Sequence, residues 1–185
     1  MSPALRQVLD DLDPTPACVL GRRWDYLAWN KAVDLLFDIA QASSPYARNL
    51  IWQLFTSTTR RERPQWEQVA RSMLAEFRTA SARYPDDRWF EELIDDLKQV
   101  SPEFCQWWPH HQARRSIDGH KVIEHPTLGH LEFEHLNLQV LSDPDIRIMI
   151  YTPDDATRSV LQQSLGARNG AESYVGQRSY VAHEM

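Results

Sequence analysis

The sequence has few glycines and none of the glycine-rich motifs that mark common classes of enzyme. Six glycines occur among 185 residues, and they form no phosphate-binding loop, dinucleotide-binding turn or nucleophile elbow. No apolar run is long enough to span a membrane, and no basic segment followed by an apolar stretch marks a signal peptide. We therefore expect a cytoplasmic protein with no membrane partner.

Basic residues are also in deficit. The formal net charge is −6, whereas affinity for nucleic acids comes mainly from Lys and Arg side chains that neutralise phosphates. Contact with DNA is therefore expected only through another domain.

Cysteine and histidine do not form a recognisable metal site. Cys18 and Cys105 are far apart and lack the spacing of metal ligands, so we predict reduced thiols in the core. Four histidines, at positions 120, 125, 130 and 135, are spaced by five residues. This odd spacing places successive histidines on opposite faces of a strand, so at most two meet on each face. The pairs predicted on this basis join His120 to His135 and His125 to His130, and no metal or cofactor is expected.

Adjacent carboxylates are the remaining candidates for catalysis. They lie at predicted helix starts or on polar helix faces, where they favour the helix dipole or solvation. These pairs are Asp10-Asp11, Asp86-Asp87, Glu91-Glu92 and Asp154-Asp155. No catalytic residue is predicted, and a small enzyme that uses His110 and Asp87 is the least favoured of three interpretations.

Tryptophan is present in excess, with seven residues in a chain long enough for one domain. Each indole ring buries about 150–250 Å², so these rings either fill a core or line a cavity.

Helical and extended segments alternate along the first two thirds of the chain. Ser2-Pro3 predicts a helix start, and Asn30 caps a second helix with an apolar stripe of Val33, Leu36, Phe37 and Ala40 before Ser43-Ser44-Pro45. Strands are predicted over residues 17–20 and 24–29. The most regular helix covers residues 64–84, and shorter helices cover residues 49–56, 86–100 and 102–108.

The last third changes to the two-residue period of strands. Strands are predicted over residues 120–125, 129–138 and 146–151, with a register that pairs His125 with His130, Lys121 with Glu134 and Val122 with Phe133. A final helix runs to Leu165 and ends at Gly166. The order predicts an α+β, PAS-like fold over residues 1–165, with a five-stranded antiparallel sheet covered by helices, and a polar tail over residues 166–185.

Several short motifs follow one another at characteristic intervals: Trp29-Asn30, Arg48-Asn49-Leu50, Trp66-Glu67, Pro85-Asp86-Asp87, Ser101-Pro102-Glu103-Phe104, His125-Pro126 and Tyr151-Thr152. Over residues 2–165 the chain resembles the MmyB-like transcription regulator ligand-binding domain. The resemblance implies a PAS-like sensor of a bacterial transcription regulator that takes a hydrophobic small molecule such as a fatty acid. In that family an XRE-type helix-turn-helix domain precedes the sensor, and the 185 residues contain no such segment.

A fatty acid would need hydrogen-bond donors for its buried carboxylate and apolar walls for its chain. The candidate donors lie outside the apolar stripes: Asn30, Arg48, Asn49 and His110. His110 is the position that carries over where Trp108-Pro109-His110-His111-Gln112 departs from the family's usual Arg-His-Asp. The candidate walls are aromatic or aliphatic: Trp29, Leu36, Phe37, Phe55, Trp66, Val69, Met73, Phe77, Trp107 and Trp108.

Each candidate also has an ordinary structural interpretation, as a helix cap, a surface ion pair or plain core packing. For the chain as a whole, the alternative is a protein-interaction or homodimerisation module without a ligand. The predicted ligand space lies between the sheet and the helix over residues 64–84.

Overall fold

The structure is a computed structural model that describes residues 2–39, 46–62, 65–110 and 119–181, with side chains to residue 168. Its elements in chain order are α1 (Pro3–Asp11), β1 (Ala17–Leu20), β2 (Tyr26–Trp29), α2 (Lys31–Phe37), α3 (Leu50–Thr56), α4 (Thr58–Arg61), α5 (Trp66–Ser81), α6 (Arg88–Val100), α7 (Pro102–Trp107), β3 (Gly119–His125), β4 (Gly129–Val140), β5 (Asp143–Pro153) and α8 (Asp155–Val181).

The strands form one antiparallel sheet in the order β2-β1-β5-β4-β3. Alternation along β5 directs Met149 and Tyr151 to a buried inner face, where they join one core cluster with side chains of α2, α3 and α5 to α7. Ile148 and Ile150 lie on the outer face, which α1 covers in part through Leu9. The predicted α+β fold with a five-stranded antiparallel sheet is confirmed.

Helix starts follow the predicted capping residues. The side chains of Ser2, Asn30, Asn49 and Ser101 each accept a hydrogen bond from a backbone N–H in the first turn. The short helix α4 was not predicted, because its sequence Thr-Thr-Arg-Arg has no apolar stripe. Some sequence assignments lie outside the described residues, namely Ala40, Ser43-Ser44-Pro45, Pro64 and His111-Gln112.

The predicted register of the β3–β4 hairpin is wrong by one residue. His125 pairs with Gly129, so Lys121 lies opposite Phe133 and Val122 opposite Glu132. Gly129 has φ +77, which suits a residue without Cβ at the end of a short loop. This register places the buried Ile123 opposite the buried Leu131.

The predicted histidine pairs do not form in this register. His120 lies opposite Glu134 and His130 opposite Glu124, and His135 lies opposite Gly119. His130 Nε2 also lies 2.9 Å from Glu132 Oε1, on the exposed sheet face. The hydrogen bonds that His130 donates to the carboxylates of Glu124 and Glu132 raise its pKa, because they stabilise the protonated imidazole.

Two further sequence predictions are wrong. Gly166 does not end the last helix, since α8 continues to Val181 and Gly166 does not take the positive φ of a glycine cap. Cys105 is exposed, because α7 turns Phe104 and Trp107 toward the core instead. Cys18 is buried as predicted, and burial raises the pKa of its thiol to about 12 against the opposing charges of Arg60 and Lys121.

Within the described part of the chain, no helix is both long and apolar enough to cross a membrane.

The β1–β2 loop is tied to the start of α6 by a charge pair. Arg23 Nη2 donates to Asp87 Oδ1 at 2.8 Å and Arg23 Nε donates to Asp87 Oδ2 at 3.0 Å. Arg22 Nη2 also lies 3.3 Å from Asp87 Oδ2. Partial burial acts to raise the pKa of Asp87, but the hydrogen bonds from Arg23 and the Trp89 N–H and the nearby arginine charges outweigh it, so the pKa is lowered.

We expect Asp87→Asn to lower the free energy of unfolding by about 1 kcal/mol near neutral pH, because it removes a forked ion pair. A carboxyl whose folded-state pKa is depressed stabilises the fold above its unfolded pKa of about 3.9, and this contribution is lost as the pH falls through the folded pKa. The difference between wild type and variant should therefore shrink in urea unfolding at about pH 3. A difference that is constant with pH would contradict this assignment.

Candidate functional site

A narrow apolar cavity, here called the slot, lies where the inner face of the sheet meets α5. The helical period places Trp66, Val69 and Met73 on the face of α5 that is turned to the sheet. The slot has a volume of about 60 Å³. Its lining among the described residues is Phe37, Leu50, Leu54, Arg60, Trp66, Val69, Met73, Lys121, Val122, Ile123 and Tyr151.

The slot adjoins a wider cavity of about 500 Å³, here called the open cavity. Phe37 and Arg60 line both spaces and therefore form the boundary between them. The other described residues around the open cavity are mostly polar: Leu35, Leu36, Asp38, Gln53, Ser57, Thr59, His125, Pro126, Thr127 and Arg168.

A third space of about 20 Å³ lies beyond the other end of the slot. Met73 and Lys121 line both it and the slot, and Trp24 and Arg147 lie on its far side. Its volume is that of about one water molecule. The slot therefore shares two lining residues with each of the other two spaces.

Two positive charges border the slot. Arg60 is 8% exposed, and its Nη2 donates to Gln53 Oε1 at 2.6 Å while its guanidinium lies 4.7 Å from the centre of the Phe37 ring. Lys121 Nζ lies 5.1 Å from the centre of the Tyr151 ring. Of the described residues that line the slot, none is an Asp or Glu.

The predicted wall residues divide into two groups. Phe37, Trp66, Val69 and Met73 line the slot, and Leu36 lines the open cavity. The others line none of the three spaces: Trp29, Phe55, Phe77, Trp107 and Trp108. Ligand contact stays a prediction for both groups, and all five residues of the second group belong to the core cluster or pack against it.

Four residues of the second group form an aromatic cluster with Phe104 where α3, α5 and α7 meet. The Phe55 ring meets the rings of Phe104 and Trp107 at centroid distances of 5.0 and 6.0 Å, and Phe77 meets Trp108 at 6.3 Å. Much of the tryptophan excess is therefore core, with Trp66 at the boundary between this cluster and the slot.

The predicted hydrogen-bond donors do not gather around the slot. Asn30 Nδ2 donates to the Thr15 carbonyl at 2.8 Å, and Asn49 Nδ2 donates to the Arg23 carbonyl at 2.7 Å. Both amides are buried and also cap helices, so their polar groups serve the fold. Arg48 and His110 are exposed, and neither lines any of the three spaces.

Sequence reasoning did not predict four residues that line the slot or the open cavity, namely Arg60, Gln53, Lys121 and Tyr151. Arg60 belongs to the charged run 60–63, which has the composition of a solvated surface. Strand alternation could have placed Lys121 and Tyr151 on the inner face, since each is two residues from a buried apolar side chain of its strand.

No group of three or more His, Cys, Asp or Glu side chains within the described ranges is arranged to hold a metal ion. In a comparison with known families, the model of the MmyB-like transcription regulator ligand binding domain matches residues 1–165. A search of curated proteins found none that matches the chain.

Proposed function

The chain belongs to the family of MmyB-like transcription regulator ligand binding domains, and from this premise we propose that it senses a hydrophobic, fatty-acid-like small molecule between the sheet and α5. The observation that carries the proposal is the apolar slot, which continues into a wider opening at Phe37. Contact with DNA would come through a helix-turn-helix domain outside these 185 residues.

The alkyl chain supplies the affinity in this proposal. Each buried methylene contributes about 0.8 kcal/mol, so a chain of about ten carbons has ample gross affinity before ordering costs. At about 60 Å³ the slot in its present form is small beside an apolar cavity of about 150 Å³, which is known to hold benzene. Ligand entry therefore requires Phe37 and Met73 to change rotamer or α5 to move away from the sheet.

This requirement supplies a signalling mechanism. A ligand that fits only the widened slot binds one arrangement of the helices better than the other, and this differential affinity shifts the population between them. Met73 suits such a transition because its side chain is unbranched and fills gaps of different shape. The helices that cover the sheet would then present a changed surface to a tethered DNA-binding domain or a dimer partner.

We expect Met73→Trp to abolish binding of an alkyl ligand, because the larger ring fills the slot between Val69 and Tyr151. Thermal unfolding with and without decanoate measures the effect: the ligand should raise the melting temperature of the wild type and not of the variant. Leu141→Trp is the matched control, since Leu141 is 98% exposed. The proposal fails if native mass spectrometry finds no apolar compound and no alkyl ligand stabilises the wild type.

The outer face of the sheet favours a second candidate function, a homodimerisation module. Leu136 and Leu138 are 48% and 43% exposed, opposite Ile150 and Ile148 of β5. Displacement of an apolar fluorophore separates the two functions. Saturable competition between the fluorophore and lipids supports ligand sensing in the slot. Concentration-dependent dimerisation without such competition supports the homodimerisation module.

A further inference from the structure

We infer that Arg60 binds a negatively charged head group of the ligand at the boundary between the slot and the open cavity. This inference rests on the proposed function and adds the charge of the head, the residue that recognises it and the direction of the tail.

The first argument is the state of the Arg60 side chain. Arginine is almost never buried unless it is paired, yet Arg60 is 8% exposed and its hydrogen bond goes to the neutral amide of Gln53. Among the described residues, no carboxylate lies within 4.0 Å of its guanidinium nitrogens. Gln53 takes one of the five N–H donors of the side chain. A charged group that reaches Arg60 from the open cavity would supply the missing partner.

The second argument is the charge around the slot. Lys121 and Arg60 both line it, and no acid does so among its described residues. Because a charge in an apolar environment interacts strongly with its neighbours, two cations favour an anionic ligand and disfavour a cationic one. Asp38 borders the open cavity, but there it shares the lining with Arg168 as well as with Arg60.

The third argument is geometric. A guanidinium offers two parallel N–H groups that match the two oxygens of a carboxylate, so a head at Arg60 is held in a fixed orientation. Beyond Arg60 the slot is lined by the apolar side chains of Phe37, Val69 and Met73. The head therefore lies toward the open cavity and the tail runs toward the sheet.

A purely structural role for Arg60 predicts a different result. The side chain covers the Phe37 ring and joins α4 to α3 through Gln53. If this were its whole role, substitution would change stability without changing the preference between ligands that differ only in the head. The preference between heads is therefore the informative measurement.

The experiment compares decanoate with 1-decanol in displacement of an apolar fluorophore at neutral pH. We expect the wild type to bind decanoate about ten to a hundred times more tightly than decanol, which is the range for a hydrogen-bonded charged group. Arg60→Met should remove this preference and leave decanol binding within a few-fold of wild type. Arg147→Met is the matched control, because Arg147 lines the third space and lies 3.7 Å from Glu76, so the preference should persist there.

The outcomes separate the two proposals. If neither compound binds the wild type, the proposed function itself fails. If decanol binds the wild type as tightly as decanoate, or if Arg60→Met keeps the preference, the inference is overturned while the slot remains a ligand site. Arg60→Gln is a second uncharged variant, more polar than methionine, for the case in which Arg60→Met does not fold.

Discussion

Asn49→Ala is expected to lower the free energy of unfolding by about 2–4 kcal/mol. Asn49 is fully buried, and its Oδ1 accepts from the Trp52 N–H at 3.0 Å as the cap of α3. Loss of such a cap costs about 1 kcal/mol. Its Nδ2 donates to the Arg23 carbonyl and, at 3.0 Å, to Asp25 Oδ1. These acceptors would lose their partner, and an unsatisfied buried polar group costs about 1–3 kcal/mol of stability.

The Asn49→Ala substitution should also change the ionisation of Asp25. Burial raises the pKa of Asp25, while the hydrogen bond from Asn49 and the charge of Arg23 lower it, so the variant should raise this pKa further. Urea unfolding of wild type and variant at neutral pH measures the loss of stability. Arg48→Ala is the neighbouring control, since Arg48 is exposed and should cost less than about 1 kcal/mol.

This pair of variants also decides between the two interpretations of the Arg48-Asn49 motif. The structure favours an architectural role, in which Asn49→Ala destabilises the protein and the bound fraction of a ligand at saturation is unchanged. Normal stability with loss of decanoate binding would instead favour the ligand-donor role that the sequence suggests.

The sheet and the main helices follow from the sequence because their signals are local. Alternation along β5 and the stripe of α5 each depend on neighbouring residues only, and so do the caps Asn30 and Asn49. The hairpin register depends on the conformation of one glycine, Gly129, which a count of loop residues does not reveal.

The composition of the slot is not a local property. Val69, Met73 and Phe77 belong to the same stripe of α5, yet Phe77 packs against Phe90 of α6 while Val69 and Met73 border a cavity. Which part of the stripe is covered depends on where α6 and α7 dock. The burial of Arg60 likewise depends on the placement of a four-residue helix with no apolar pattern.

The aromatic cluster and the slot share a wall, because Trp66 belongs to both. The Phe55 ring lies 6.0 Å from Trp66, and Trp66 itself is anchored by a hydrogen bond of 2.8 Å from its Nε1 to the Leu54 carbonyl. Core packing around Phe55 therefore fixes one side of the proposed ligand site. A change in that core should therefore alter the shape of the slot, although Phe55 does not line it.

Phe55→Ala should consequently produce the largest loss of stability among the variants considered, about 3–5 kcal/mol. The side chain has no exposed surface, and alanine leaves a cavity between Trp66, Phe104 and Trp107. Denaturant unfolding gives the loss, and Phe55→Leu, which retains more volume, is the control with a smaller effect. Binding of decanoate to the folded fraction should weaken as well, because Trp66 loses its support. A loss of stability below about 1.5 kcal/mol would contradict the core role of Phe55. Unaltered decanoate affinity would show that the cluster and the slot are independent.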